Sequence, residues 1–193
     1  MLTPRARKYL AGLERRPHTS LVQAQTSLLS RGYPCPAAWL AFHQQYAGYV
    51  EPLGNDVAVW GLTHRDGLWL KLNAAVEQQP HTGRWNITCA DAHPSYRYLL
   101  DDRGRFLGVP ADSFDIKVER NALISEISQR SNRPWLRHQQ IDRQRFARLL
   151  ERLLENVVPE ASDSCFRYFA LPEAILIEDV EAGRFTELLR ADG

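Results

Sequence analysis

The chain has 193 residues, a formal net charge of +1, and charged and hydrophobic fractions of 24% and 44%. That balance suits a folded globular protein and excludes a chain steered as a whole toward nucleic acid or an anionic membrane by its net charge. No run of 18 apolar residues occurs, so no transmembrane helix is expected.

In chain order, residues 5–16 place Ala6, Tyr9, Leu10 and Leu13 on one helical face, and Pro17 should end that helix. Ser20 is a fitting N-cap for a second helix carrying Leu21, Val22, Leu28 and Leu29, with Gly32 as the residue that closes it. A third helix opens at Pro36 or Ala37 and runs to Gly48. Its apolar side, Trp39, Leu40, Phe42, Tyr46 and Val50, suits packing on a sheet. From Asp56 the period shortens to two. Val57, Val59 and Leu62, then Leu68, Leu70 and Leu72, then Trp85, Ile87 and Cys89 predict three strands. Residues 96–100 and 105–109 predict two more, joined through Asp101, Asp102, Arg103 and Gly104, a turn that suits glycine at positive φ.

Asp112, Ser113 and Phe114 announce a helix carrying Ile116, Leu123 and Ile127 on one side and Val118 and Ala122 on another. Residues 142–157 predict a further amphipathic helix through Phe146, Leu149, Leu150, Leu153 and Val157. Residues 165–171 suit a short strand, and Phe185, Leu188 and Leu189 predict a terminal helix. The fold class expected is α+β: an antiparallel meander packed against N-terminal and C-terminal helices. Residues 1–193 are read as a single domain, with a core over about 18–130 and a helical C-terminal extension over about 131–193.

Catalytic signatures are missing: the sequence holds no phosphate-binding P-loop, no nucleophile elbow and no zinc-protease helix motif. Cys89, Asp91 and His93 place three metal-ligating side-chain types within five residues, but no second short-spaced pair completes a zinc set, and no cofactor is expected. Cys35 stands just before a predicted helix, where a thiol is activated only if a base lies within reach.

Arginine outnumbers lysine 21 to 3, and seven arginines fall between Arg130 and Arg152. Arg143, Arg145, Arg148 and Arg152 could meet phosphates on the face of the 142–157 helix. Glu151 and Glu155 interrupt that face, so nucleic-acid binding is the secondary reading. Asp91, Asp101, Asp102 and Asp115 sit at the turns and ends of the meander. Turn chemistry accounts for Asp101 and Asp102, and contact with a basic protein partner is the functional alternative. Three widely spaced cysteines, Cys35, Cys89 and Cys165, argue for a reducing compartment. The first residues lack the apolar run of a signal peptide, so the cytoplasm is the expected location.

The order of these elements resembles the SUKH superfamily of small α+β proteins, many of them bacterial immunity proteins. The resemblance rests on Leu28-Leu29-Ser30-Arg31-Gly32-Tyr33-Pro34. It continues in Pro36-Ala37-Ala38-Trp39-Leu40-Ala41-Phe42 running into Tyr46-Ala47-Gly48. Tyr98-Leu99-Leu100-Asp101, a glycine turn and Asp112-Ser113-Phe114 complete it. It covers about residues 18–130 and matches nothing after about Asn132. Gly48 leads into Tyr49-Val50-Glu51-Pro52 where the family has a glycine-rich turn.

The resemblance implies a non-enzyme that binds a cognate toxin domain and blocks it, with no cofactor and a monomer favoured. A regulatory or scaffolding module for another protein is the alternative it leaves. Partner contacts are expected at Asp91, Asp101, Asp102 and Asp115, with Trp135 as an aromatic anchor; a core tryptophan sealing the C-terminal helix is the other reading of Trp135.

Overall fold

The structure is a computed structural model. It describes the backbone of residues 1–66, 69–72, 76–93, 95–131, 135–141, 153–171 and 174–190, and the side chains of 1–62, 76–93, 95–129, 153–171 and 174–186. In chain order the elements are α1 (Pro4–Gly12), α2 (Leu21–Leu29), α3 (Ala37–Tyr46), β1 (Val50–Leu53), β2 (Asp56–Trp60), β3 (Thr63–Asp66), β4 (Trp69–Leu72), β5 (Val76–Gln78), β6 (Trp85–Thr88), β7 (Ala90–Asp91) and β8 (Leu99–Asp101). They are followed by α4 (Phe114–Ser131), β9 (Trp135–Ile141), β10 (Phe166–Ala170), β11 (Ala174–Asp179) and β12 (Arg184–Arg190). The strands pair antiparallel throughout, in the orders β1-β2-β7, β3-β4, β5-β6-β8 and β10-β11-β12-β9. The class is α+β, as expected. The chain divides into two compact units, residues 11–114 and residues 1–10 with 115–193.

In the 11–114 unit, α2 is fixed at both ends. Ser20 and Gln23 form a reciprocal capping box, and Gly32 at φ 74° lets the Tyr33 N–H reach back to the Leu28 carbonyl. The expected first helix is shorter than the apolar pattern suggests. Residues 14–16 are instead taken up by β1: Val50 N–H donates to the Glu14 carbonyl at 2.9 Å and Arg16 N–H to that of Gly48 at 2.7 Å.

Gly48 also places Val50 in β1 and not on the expected helix. With φ at 88° the chain leaves α3 there, and a Cβ would run into the Arg16 carbonyl oxygen. Phe114 is the hub of the core, its ring 4.7 Å from Phe42, 4.9 Å from Tyr46, 5.0 Å from Trp60 and 5.6 Å from Phe106. Aromatic pairs at these separations each add about 1 kcal/mol beyond the area they bury. A buried carboxylate, Glu51, accepts the Trp60 indole N–H at 2.8 Å and the Tyr98 hydroxyl at 2.6 Å on one oxygen.

The other unit corrects the expected C-terminal helix. Residues 184–190 form β12, a partner of β11 and β9, and the Ala174–Asp179 run just before it is also a strand. The 3-4 spacing of Phe185, Leu188 and Leu189 imitated a helix. The hairpin decided otherwise: Gly183 at φ 60° and the Ala182 N–H bond to the Asp179 carboxylate turn the chain back onto β11.

Alternation splits the apolar residues between the two faces of the sheet. Tyr168 and Ile175 join Leu123 and Ile127 of α4, while Phe169 and Leu176 join Leu153 and Phe185. Inside this unit the Arg120 guanidinium reaches the Asp163 carboxylate at 2.8 Å, with the side chains 4% and 1% exposed. It also lies 5.2 and 5.0 Å from the ring centres of Phe166 and Tyr168. Of the expected 142–157 helix, residues 142–152 lie outside the described residues; residues 154–156 form a single 3-10 turn.

Candidate functional site

Two tight turns and one strand end create the best-defined surface in the 11–114 unit. The 101–104 turn closes with the Gly104 N–H on the Asp101 carbonyl at 2.9 Å and Gly104 at φ 84°. One oxygen of the Asp101 carboxylate accepts the N–H groups of Arg103 and Arg105, each at 2.9 Å, and the other stands 3.7 Å from Arg84. Its backbone carbonyl takes the indole N–H of Trp39 at 2.8 Å, which pins the turn to α3. Asp101 is 4% exposed. Its carboxylate is consumed by its own turn and is not presented to a partner.

Asp102, next in the turn, is half-buried, and its Oδ2 accepts the Trp85 N–H at 3.3 Å. Trp85 begins β6, and its ring stands edge-to-face with Tyr33 at 6.5 Å. Tyr33 is aimed there by the Gly32 closure of α2 and is followed by Pro34, which keeps the segment extended. Both rings are half-buried. Beside them the 79–83 turn is held by Gly83 N–H on the Gln79 carbonyl and by the Gln78 amide on the Gly83 carbonyl, both at 2.9 Å.

The arrangement is therefore an aromatic pair on ordered turns. Arg84 and Asp102 lie beside it, and exposed Arg31 and Arg103 lie at neighbouring positions of the same turns. Composition alone did not single out Tyr33 and Trp85. The available signal was a tyrosine bracketed by Gly32 and Pro34 and a tryptophan at the very start of a strand.

Of the remaining expected contacts, Asp91 lies in the 11–114 unit, and Asp115 and Trp135 lie in the other. Asp91 ends β7 and is exposed. It lies six positions along the chain from Trp85, a contour of about 20 Å. Asp115 belongs to the other unit, half-exposed and 3.9 Å from the N-terminal ammonium. Trp135 is the first residue of β9, opposite Arg190, and its side chain lies outside the described set, as do Arg143, Arg145, Arg148 and Arg152. Within the 11–114 unit, Asp101 is buried in its own turn, Asp102 is half-buried and Asp91 is exposed at the end of β7.

Neither of the chemical candidates gains a setting. Cys89 is buried between β6 and β7 while Asp91 and His93 are exposed, and His93 Nδ1 bonds the Ser95 hydroxyl at 2.8 Å. Among the described residues no group of three or more His, Cys, Asp or Glu side chains could hold a metal ion. Burial pushes the Cys35 thiol pKa up, opposite to the shift an attacking thiolate requires. Among the described residues no helix is long and apolar enough to cross a membrane. Comparison with protein-family models, curated proteins and solved structures finds no match for this chain.

Proposed function

We propose that this chain is an immunity protein that binds and neutralises a cognate bacterial toxin domain by protein–protein contact, through the surface around Tyr33 and Trp85. The observation that carries the reading is the half-buried Tyr33–Trp85 pair, held at 6.5 Å on two hydrogen-bonded turns with Arg84 beside it. Tyrosine, tryptophan and arginine are the side chains that most often dominate binding energy at protein interfaces. They do so best when already rigid, because little conformational entropy is then lost on docking. The resemblance of α2, α3 and the 98–114 region to immunity proteins supports the same role, which calls for no catalytic group. Asp102, at the rim of the pair, is the one aspartate of the expected contact set that this surface retains.

The test is protection. Cells expressing the toxin domain encoded beside this gene should survive when the chain is supplied and die when it is withheld. Survival that does not depend on the chain, or the absence of any adjoining toxin gene, removes the immunity reading and favours a regulatory or scaffolding module that uses the same surface.

A further inference from the structure

His43 of α3 is 1% exposed and touches two other segments of its unit. Its Nε2 lies 3.0 Å from the Thr19 carbonyl oxygen and 3.2 Å from the Thr19 hydroxyl, and its Nδ1 accepts the Leu62 N–H at 3.2 Å. A backbone amide only donates, so Nδ1 must present its lone pair. The hydrogen therefore sits on Nε2 and is given to Thr19. The ring joins the strap of residues 14–19 to the corner between β2 and β3. Adding a proton at Nδ1 would set one N–H against another, beside a Leu62 that is fully buried.

We propose that His43 is an acid-sensitive clasp: protonation of its Nδ1 frees the Leu62 corner and loosens the 14–19 strap before the rest of the unit unfolds. The strap is held beyond Thr19 by modest ties. The Arg15 Nε–H donates to the Ala47 carbonyl at 3.0 Å, alongside the Glu14 and Arg16 backbone bonds to β1 and Gly48. The charged and titratable groups facing His43 do not shelter a cation. The His18 ring stands edge-on at 6.3 Å. Arg15 lies over the Tyr49 ring, and Arg16 pairs with Glu14. The corner contributes only Gly61 and Leu62, and the Glu51 carboxylate is held by Trp60 and Tyr98. Burial lowers the pKa of His43, the Thr19 carbonyl bond opposes this, and charge on His18 lowers it further.

The test uses nitrogen NMR of the histidine rings and amide hydrogen exchange on the intact chain from pH 7.5 to pH 5. At pH 7.5 the expected signature is a neutral Nε2–H ring with a protected Leu62 amide. Below the free histidine pKa of about 6.5 the local opening constant should rise by up to about tenfold per pH unit, after correction for intrinsic exchange, while Ile87 and Leu100 keep their protection. His43→Gln, which keeps a donor and an acceptor but cannot take a proton, should remove that pH dependence. The exposed His18→Gln change should weaken the acid response, because removing a repelling charge brings the folded pKa of His43 closer to its open-state value. An Nδ1–H tautomer at pH 7.5 would overturn the clasp. So would loss of Leu62 protection only in step with Ile87 and Leu100, or an unchanged pH response in His43→Gln. If His43→Gln does not fold, the first two readings on the unaltered chain decide.

Discussion

Trp39 donates its indole N–H to the backbone carbonyl of Asp101 across 2.8 Å, joining α3 to a turn 62 positions further along the chain. That bond fixes where the 101–104 turn sits. The turn in turn fixes Asp102, and through Asp102 the backbone of Trp85. The proposed binding surface is thus an outgrowth of core packing.

Replacing Asp101 should therefore act on stability before binding. Asp101→Ala leaves the Arg103 and Arg105 N–H groups without their carboxylate acceptor, and should cost about 2 kcal/mol in urea unfolding at pH 7. Had Asp101 been a surface contact, the change would leave the unfolding midpoint within experimental scatter.

Two glycines with similar backbone angles should respond differently. Gly32 at φ 74° has open space around it, so Gly32→Ala should cost about 1 kcal/mol from backbone strain alone. Gly48 at φ 88° faces the Arg16 carbonyl, and a Cβ there adds a collision with backbone to the same strain. Gly48→Ala should cost at least about 3 kcal/mol. Equal midpoints for the two variants in denaturant would contradict the strap-to-β1 pairing.

The Arg120–Asp163 pair should be expensive to break singly. Arg120→Ala removes the cation from a carboxylate that is 1% exposed and still accepts the Cys165 and Phe166 N–H groups, and from the Phe166 and Tyr168 faces. Loss of about 3–5 kcal/mol is expected by chemical denaturation. A double change to Met at Arg120 and Leu at Asp163 should cost less than the single change, because no charge then remains buried.

The pH profile of stability is shaped by the buried His43 and Tyr168 and by the partly buried Cys35. His43 has its folded pKa lowered, so its contribution is complete above the unfolded value near 6.5 and is lost as pH falls below it. Tyr168 has its folded pKa raised, first by burial, so its contribution is complete below about 10 and is lost as pH rises beyond that value. Unfolding free energy measured against pH should show a plateau above about 6.5 that ends on the alkaline side, where Cys35, its thiol pKa also raised by burial, contributes beside Tyr168. His43→Gln should flatten only the acid side, and Tyr168→Phe only the alkaline side.

Local signals were well legible in the sequence. Ser20, Gly32 and Gly104 each hold the capping or turning position their chemistry implies, because capping depends on neighbours within a few residues. Non-local choices were not. Residues 14–16 gave up helix for pairing with β1, and Phe185, Leu188 and Leu189 carried a helical spacing that the β11–β12 hairpin overrode. The site suffered the same way. Asp101 and Asp102 are adjacent and alike in sequence, yet one is spent on its own turn and the other reaches the half-buried Trp85.

The central claim, that Tyr33 and Trp85 anchor a cognate toxin domain, is tested most directly by the affinity of the purified chain for the toxin domain encoded beside it. Titration calorimetry would compare Tyr33→Ala with Asp91→Ala, both chosen because each side chain lies outside the buried core. Loss of an anchoring aromatic costs about 2 kcal/mol or more, so Tyr33→Ala should weaken binding roughly 30-fold or further, while Asp91→Ala leaves it unchanged. Unaltered affinity in Tyr33→Ala, together with a loss in Asp91→Ala, would contradict the claim and move the interface to the far end of the β6–β7 run.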